Sequence, residues 1–351
     1  MSHHRKPLEL NVVDKFAAWL PRIMIAAGLL WSFSSECAEA AEDSVRIRGG
    51  KGIYYQIDEG TFSYYEKPRP FGFIMNAPKG MKTWLEESFQ RKNLKTIAGI
   101  TVATFALVAV DEQLLAGAKD VGRKLGIAGE NNMRPLFRVS GYPVQGPGDL
   151  GSAIYFLGDG ITHISIAFSM LGYGLINDDP RALQTFSGLA EGLITVAVAT
   201  QTLKHITGRQ SPYHSTEPGG RWRPFPDQIK YHQDIPSYDA FPSGHLATAM
   251  MTVTVLAENY PEYTLIRPVG YGLMTLLGFQ MMNNGVHWAS DYPLAIAIGY
   301  GLGKVAVSHG RKIVPASAVP QALAKQKKDK NFLVLPILSG SGGGLAMICR
   351  F

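Results

Sequence analysis

Between residues 96 and 308 the chain returns six times to apolar runs of helical length: 96–117, 150–176, 182–205, 244–259, 265–284 and 289–308. Runs this continuous must bury most of their circumference, against one another or against lipid. A stretch of ~20 residues is long enough to cross a bilayer, yet these are not clean spans. Asp159 and His163 interrupt the second run and Glu191 the third, and ionisable groups are costly in hydrocarbon without a partner or a function. The overall balance is intermediate in the same sense. Charged residues make up 18% of the chain, below the usual ~25%, while mean hydropathy is only +0.01. The expected fold class is all-α: a helical bundle of five or six core helices with a long ordered loop and a small C-terminal β-hairpin. A mostly soluble bundle accommodates the ionisable groups best, with an integral inner-membrane protein as the alternative.

The flanks divide the chain further. Residues 1–40 read as a signal peptide or N-terminal anchor: basic residues up to Arg22 precede IMIAAGLLWSF, and Ala38-Glu39-Ala40 offers a small-residue cleavage site. Residues 41–95 read as an irregular N-terminal region with weak strands such as GIYYQI and an amphipathic helix over 79–95. The helical domain then occupies 96–310. Residues 311–331, with KQKKDK, read as a solvated linker, and 332–351 as a hairpin around a Gly-rich turn. Two strands cannot close an outer-membrane barrel, despite the terminal Phe351. Cys37 and Cys349 belong to no CxxC pair, so neither a zinc ribbon nor a redox motif is supported. The net charge of +6 suits anionic partners. The basic residues are scattered, with no recognition helix or zinc-finger spacing, which argues against nucleic acid.

Three segments carry chemistry. In FPSGHLATAMM, Ser243 is a good N-cap with Gly244 and His245 in the first turn. Free N–H groups at a helix start attract anions, Gly244 allows close approach to the backbone, and His245 would stand beside a bound oxyanion. A plain Ser cap with an exposed histidine explains the stretch equally well. In GVHWASDYPLA, His287 and Asp291 are four apart and would share one helix face. A carboxylate on one imidazole nitrogen fixes the tautomer and frees the other to attack, although a simple helical hydrogen bond has the same spacing. In LKHITGRQSPYHS, Lys204 and Arg209 close an apolar helix ahead of the aromatic-rich loop 206–241. Both suit phosphate oxygens, and both would also serve as a cationic helix cap.

Taken in order, the Lys/Arg element, Pro-Ser-Gly-His and His-x-x-x-Asp resemble the signature of the type 2 phosphatidic acid phosphatase superfamily, which includes lipid phosphatases, bacterial class A acid phosphatases and vanadium haloperoxidases. The resemblance covers about residues 100–310. It implies an all-α bundle and a metal-free, cofactor-free phosphatase working through a phosphohistidine. On that resemblance His287 attacks phosphorus, Asp291 orients it, and His245 protonates the leaving oxygen and then activates water. Lys204, Ser243 and the Gly244 amide hold the phosphate, with Arg209 a further phosphate-binding candidate. Two arginines of the family pattern are replaced, by Ser211 and Met281; Arg209, Arg221 and Arg223 are the candidate substitutes. The expected activity is hydrolysis of a phosphate monoester or lipid (di)phosphate, in an exported protein of the periplasm or cell envelope, with a membrane surface as a further partner. The alternative is a catalytically weak member that binds an anion or scaffolds the envelope. A vanadate-dependent oxidase would need more cationic donors, and no HExxH-type spacing supports a metal hydrolase.

Overall fold

The computed structural model describes residues 46–49, 51–139, 142–319, 332–339 and 342–349. The expected signal peptide or anchor over 1–40 and the KQKKDK stretch lie outside the described residues. Three strands, β1 (Arg46–Gly49), β2 (Gly52–Asp58) and β3 (Thr61–Glu66), precede the helices. The helices are α1 (Gly72–Ser88), α2 (Leu94–Val108), α3 (Asp111–Leu125), α4 (Leu150–Phe156), α5 (Gly160–Ile176), α6 (Pro180–Thr207), α7 (Gln228–Gln233), α8 (Gly244–Asn259), α9 (Ile266–Asn283) and α10 (Tyr292–Gly310). A hairpin, β4 (Met133–Val139) and β5 (Tyr142–Pro147), sits between α3 and α4. Strand β6 (Arg311–Pro315) follows α10, and β7 (Phe332–Ser339) pairs with β8 (Gly342–Cys349) as the expected C-terminal hairpin.

The architecture is mostly helical, as expected, but it is not all-α. A four-stranded antiparallel sheet, ordered β1-β2-β3-β6, occupies the region expected to be irregular and draws in the start of the expected linker. The physical reason is two-residue alternation of large side chains. Ile53, Tyr55 and Tyr65 cluster on one face, and Ile47, Phe62 and Val319 on the other. The Tyr55 hydroxyl donates to Asp179 Oδ1 at 2.9 Å. Asp179 in turn caps α6, with Pro180 in the first turn, so the sheet is docked on the start of the longest helix.

Helices α6, α8 and α10 form the centre. Their core holds Leu189, Val196, Ala247, Met251, Ile298 and Leu302. Gly299 faces the Ala247 carbonyl and Gly303 the Met251 carbonyl, so α10 meets α8 at backbone distance. Helices α5, α9 and α1 pack around this centre.

Two expected helices are broken. The first is bent by 68° between α2 and α3, and the second by 59° between α4 and α5. Asp111 and Glu112 occupy the first turn of α3, where the helix dipole favours acids. Asp159 caps α5 by accepting from Ile161 N at 2.8 Å. The other ionisable groups within the runs are also partnered: His163 Nδ1 meets Thr252 Oγ1 at 2.9 Å, and Glu191 meets His309 Nδ1 at 2.8 Å. The outer faces remain apolar, with Val102 and Phe105 of α2, Phe168 and Ile176 of α5, Val198 of α6 and Leu276 of α9 exposed. Among the described residues one helix, α6, is long and apolar enough to cross a membrane, or up to three spans if each bent pair counts as one.

Candidate functional site

The chemistry-bearing segments meet at one end of the bundle, where α6 ends and α8 and α10 begin. Ser243 N-caps α8, its hydroxyl accepting from Leu246 N at 3.4 Å. Its own N–H donates to the Asp291 carbonyl at 3.1 Å, tying the Pro-Ser-Gly-His turn to the His-x-x-x-Asp segment. Ser243 is fully buried and its hydroxyl also faces Met281 Sδ at 3.7 Å.

His287 and Asp291 do not share a helix face, as the spacing suggests. His287 lies in the turn after α9, Trp288 is extended, and Ala289–Asp291 forms a single 3-10 turn leading into α10. Gly285, at φ 71°, opens this turn. The pair forms nonetheless. Asp291 Oδ2 lies 3.3 Å from His287 Nδ1 and accepts the Trp288 backbone N–H at 2.8 Å.

His245 stands opposite. Its ring centroid is 6.0 Å from that of His287, with the planes at 71°, and Tyr155 packs 4.8 Å from it on another side. Burial, followed by the nearby His287, Lys204 and His163, pulls the His245 pKa down to about 3. The imidazole is therefore neutral at pH 7 in the free site. Lys204 reaches the same place from the end of α6. A Cβ on Gly244 would lie 3.9 Å from both Lys204 Nζ and Thr200 Oγ1. Lys204 is buried and pairs with Asp239 Oδ2 at 3.4 Å.

Arg209 is engaged on the Asp291 side of the pair instead. It is fully buried behind Asp291, and all five of its N–H donors find acceptors there. Nη1 serves Asp291 Oδ1 and Ser290 Oγ, both at 2.6 Å; Nη2 serves Asp111 Oδ2 at 2.7 Å and the Gly219 carbonyl at 2.8 Å; Nε completes the set on Gly219 at 3.3 Å. The physical reason for the departure is that two buried carboxylates need a cation. The candidate substitutes are also engaged elsewhere. Arg221 is exposed beside Glu217 at 3.8 Å, and Arg223 donates to the Ser237 carbonyl at 3.0 Å while lying over Tyr238. Ser211 and Met281 are both buried. An open notch of about 540 Å³ is lined by Glu112, Glu217, Gly219, Arg221 and Trp222 among others.

Sequence reasoning misses Asp111, Ser290, Tyr155 and Asp239. Asp111 carries the clearest signal, being an acid inside the apolar run 96–117. Among the described residues no group of three or more His, Cys, Asp or Glu side chains could hold a metal ion.

Residues 186–313 match the family model described as the PAP2 superfamily. The chain is similar to the crystal structure of Aquifex aeolicus LpxE at 20% identity, over 45% of this chain and 83% of that one, with a TM-score of 0.33. It is similar to that of a transmembrane PAP2 type phosphatidylglycerolphosphate phosphatase from Bacillus subtilis at 14% identity, over 68% of this chain and 96% of that one, with a TM-score of 0.38. No curated protein matches the chain.

Proposed function

We propose, from the match of residues 186–313 to the PAP2 superfamily model, that this chain is a phosphatase of that kind, acting on a phosphate monoester or lipid (di)phosphate through a phosphohistidine. The observation that carries the reading is the pair of imidazoles 6.0 Å apart, one of them backed by a buried carboxylate. His287 Nε2 attacks phosphorus, the P–O bond to the leaving group breaks, and that oxygen takes a proton from His245. Water then attacks phosphorus and gives a proton to His245, the phosphorus–nitrogen bond breaks to return its electron pair to His287 Nε2, and inorganic phosphate leaves. Lys204 and the amides at the start of α8 hold the phosphate oxygens.

His245 is neutral in the free site, so the proton it donates has to arrive with the substrate. A phosphate set between His245 and Lys204 supplies the negative charge that favours the imidazolium. The exposed apolar faces of α2, α5 and α9 suit an amphiphilic substrate and a membrane-associated setting.

A second reading rests on Ser211 and Met281. Each missing preorganised donor costs ~3 kcal/mol of transition-state stabilisation, which favours a weakly catalytic or purely anion-binding member. The test offers phosphatidic acid, an isoprenyl diphosphate and a small soluble ester to the full chain. The proposal expects phosphate release from at least one, with acid-labile phosphate trapped on the protein and lost in His287→Ala, together with a fall in turnover of ~10⁴-fold or more. No turnover, alongside saturable vanadate binding, would overturn the enzyme and leave the anion-binding protein.

A further inference from the structure

We infer that Arg209 and Asp111 are positioning residues, which orient the nucleophilic imidazole from behind through Asp291. The inference rests on the phosphatase reading for its kinetic consequence, but not for its geometry.

A continuous chain of charge-assisted hydrogen bonds runs from α3 to the histidine. Asp111 Oδ2 accepts from Arg209 Nη2 at 2.7 Å, Arg209 Nη1 donates to Asp291 Oδ1 at 2.6 Å, and Asp291 Oδ2 faces His287 Nδ1 at 3.3 Å. Ser290 fastens the same unit twice more, its N–H donating to Asp111 Oδ1 at 3.0 Å and its hydroxyl to Oδ2 at 2.5 Å. Arg209, Asp291 and Ser290 are wholly inaccessible, and Asp111 nearly so. The guanidinium also lies against two indoles, 4.8 Å from Trp222 and 5.3 Å from Trp288.

This arrangement leaves Asp291 one way to sit. Its Oδ1 is taken by Arg209, so Oδ2 must serve the Trp288 amide and the imidazole. A carboxylate held in that orientation accepts from Nδ1–H and leaves Nε2 unprotonated on the phosphate side. Asp111 holds Arg209 from the other end, and the bend between α2 and α3 lets an acid from an apolar run reach this spot. An arginine whose five donors are all engaged has none for the substrate, so its contribution to the reaction passes through Asp291.

The experiment uses the full chain and the variants Arg209→Gln, Arg209→Lys and Asp111→Asn. Two measurements are made on each folded variant: kcat and KM on the substrate the wild type cleaves, and imidazole ¹⁵N shifts, with the His287 signal assigned by its loss in His287→Gln. The expected result is a kcat ~10–100-fold lower in Arg209→Gln and Asp111→Asn, with KM changed by less than about threefold because the phosphate side is untouched. Arg209→Lys should recover only part of kcat, since an ammonium cannot fork between two partners. His287 should be a single Nδ1–H tautomer in the wild type and a mixture in Arg209→Gln. A folded variant with an unchanged tautomer and unchanged kcat would overturn the inference, as would a loss confined to KM. If the wild type cleaves nothing, the phosphatase reading falls and the tautomer measurement still decides this one.

Discussion

His287 has a carboxylate side and, on the proposed mechanism, a phosphate side, and charge is held differently on each. Behind the ring, Arg209, Asp111, Asp291 and Ser290 are sealed from solvent, and every guanidinium donor has an acceptor. In front of it, the cation among the expected phosphate ligands is Lys204, and Asp239 already holds it at 3.4 Å. Ser211 and Met281 stand where the family pattern carries arginines. The contrast teaches that a buried cation persists where fixed acids surround it. The carboxylate side supplies its own counter-charges. On the proposed phosphate side one acid, Asp239, meets one cation, Lys204.

That difference is broken most directly by Met281→Arg. The position is fully buried beside the Ser243 hydroxyl, so a guanidinium there would be taken out of water. An uncompensated buried charge costs ~3–5 kcal/mol, and the variant's denaturation midpoint should fall accordingly. Inorganic phosphate or vanadate should raise the melting temperature of the variant more than that of the wild type, because the anion pairs the new charge. Normal stability without anion would mean that the phosphate side is wetter or more acidic than its packing indicates.

A pH series sharpens the same contrast with a smaller effect. Burial holds the His245 pKa down, to about 3 in the fold against ~6.5 in an unfolded chain. The fold favours its neutral form. The stability this contributes is fully present above the unfolded value and is lost as pH falls from ~6.5 toward 3, where only the unfolded chain readily takes the proton. Between pH 7 and 5 the wild type should lose more melting temperature than His245→Asn, by ~3 °C. Added phosphate should narrow the gap, since an anion beside the ring favours the imidazolium. Parallel profiles for the two proteins would show that His245 is hydrated in the free site.

What the sequence makes legible follows from the range of each interaction. The helices of the bundle are readable because apolar runs report burial locally. Their breaks are not, because Asp111 and Asp159 look alike as acids within apolar runs, and only packing distinguishes an anchored ion pair from a cap. The sheet is under-read because β2 and β3 are only one hairpin, which needs support to be stable. That support comes from Asp179, 124 residues from Tyr55. The approach of His287 to Asp291 is readable from a spacing of four, although the backbone that achieves it is a 3-10 turn rather than a helix. The true place of Arg209 is unreadable, since its partners Asp111 and Asp291 lie 98 and 82 residues away. From its own neighbourhood it looks like a helix-end cation next to a phosphate motif.

The smallest expected effect concerns the loop arginines, and it tests whether the phosphate side is as cation-poor as it looks. Arg221 is half exposed and lies 3.8 Å from Glu217, four residues away; surface pairs of this kind contribute ~0.2–0.5 kcal/mol. Arg223 is tied to the Ser237 carbonyl and to the face of Tyr238, so its loss should loosen the loop slightly without reaching the phosphate. Arg221→Ala should leave kcat/KM within about twofold and stability within ~0.5 kcal/mol, and Arg223→Ala should cost stability before it costs turnover. A fall in kcat/KM of ~100-fold in either variant, at unchanged melting temperature, would equal the loss of a preorganised donor. It would mean that the loop swings an arginine onto the phosphate when substrate binds. The two sides of His287 would then differ in timing, one holding its guanidinium permanently and the other recruiting one for each turnover.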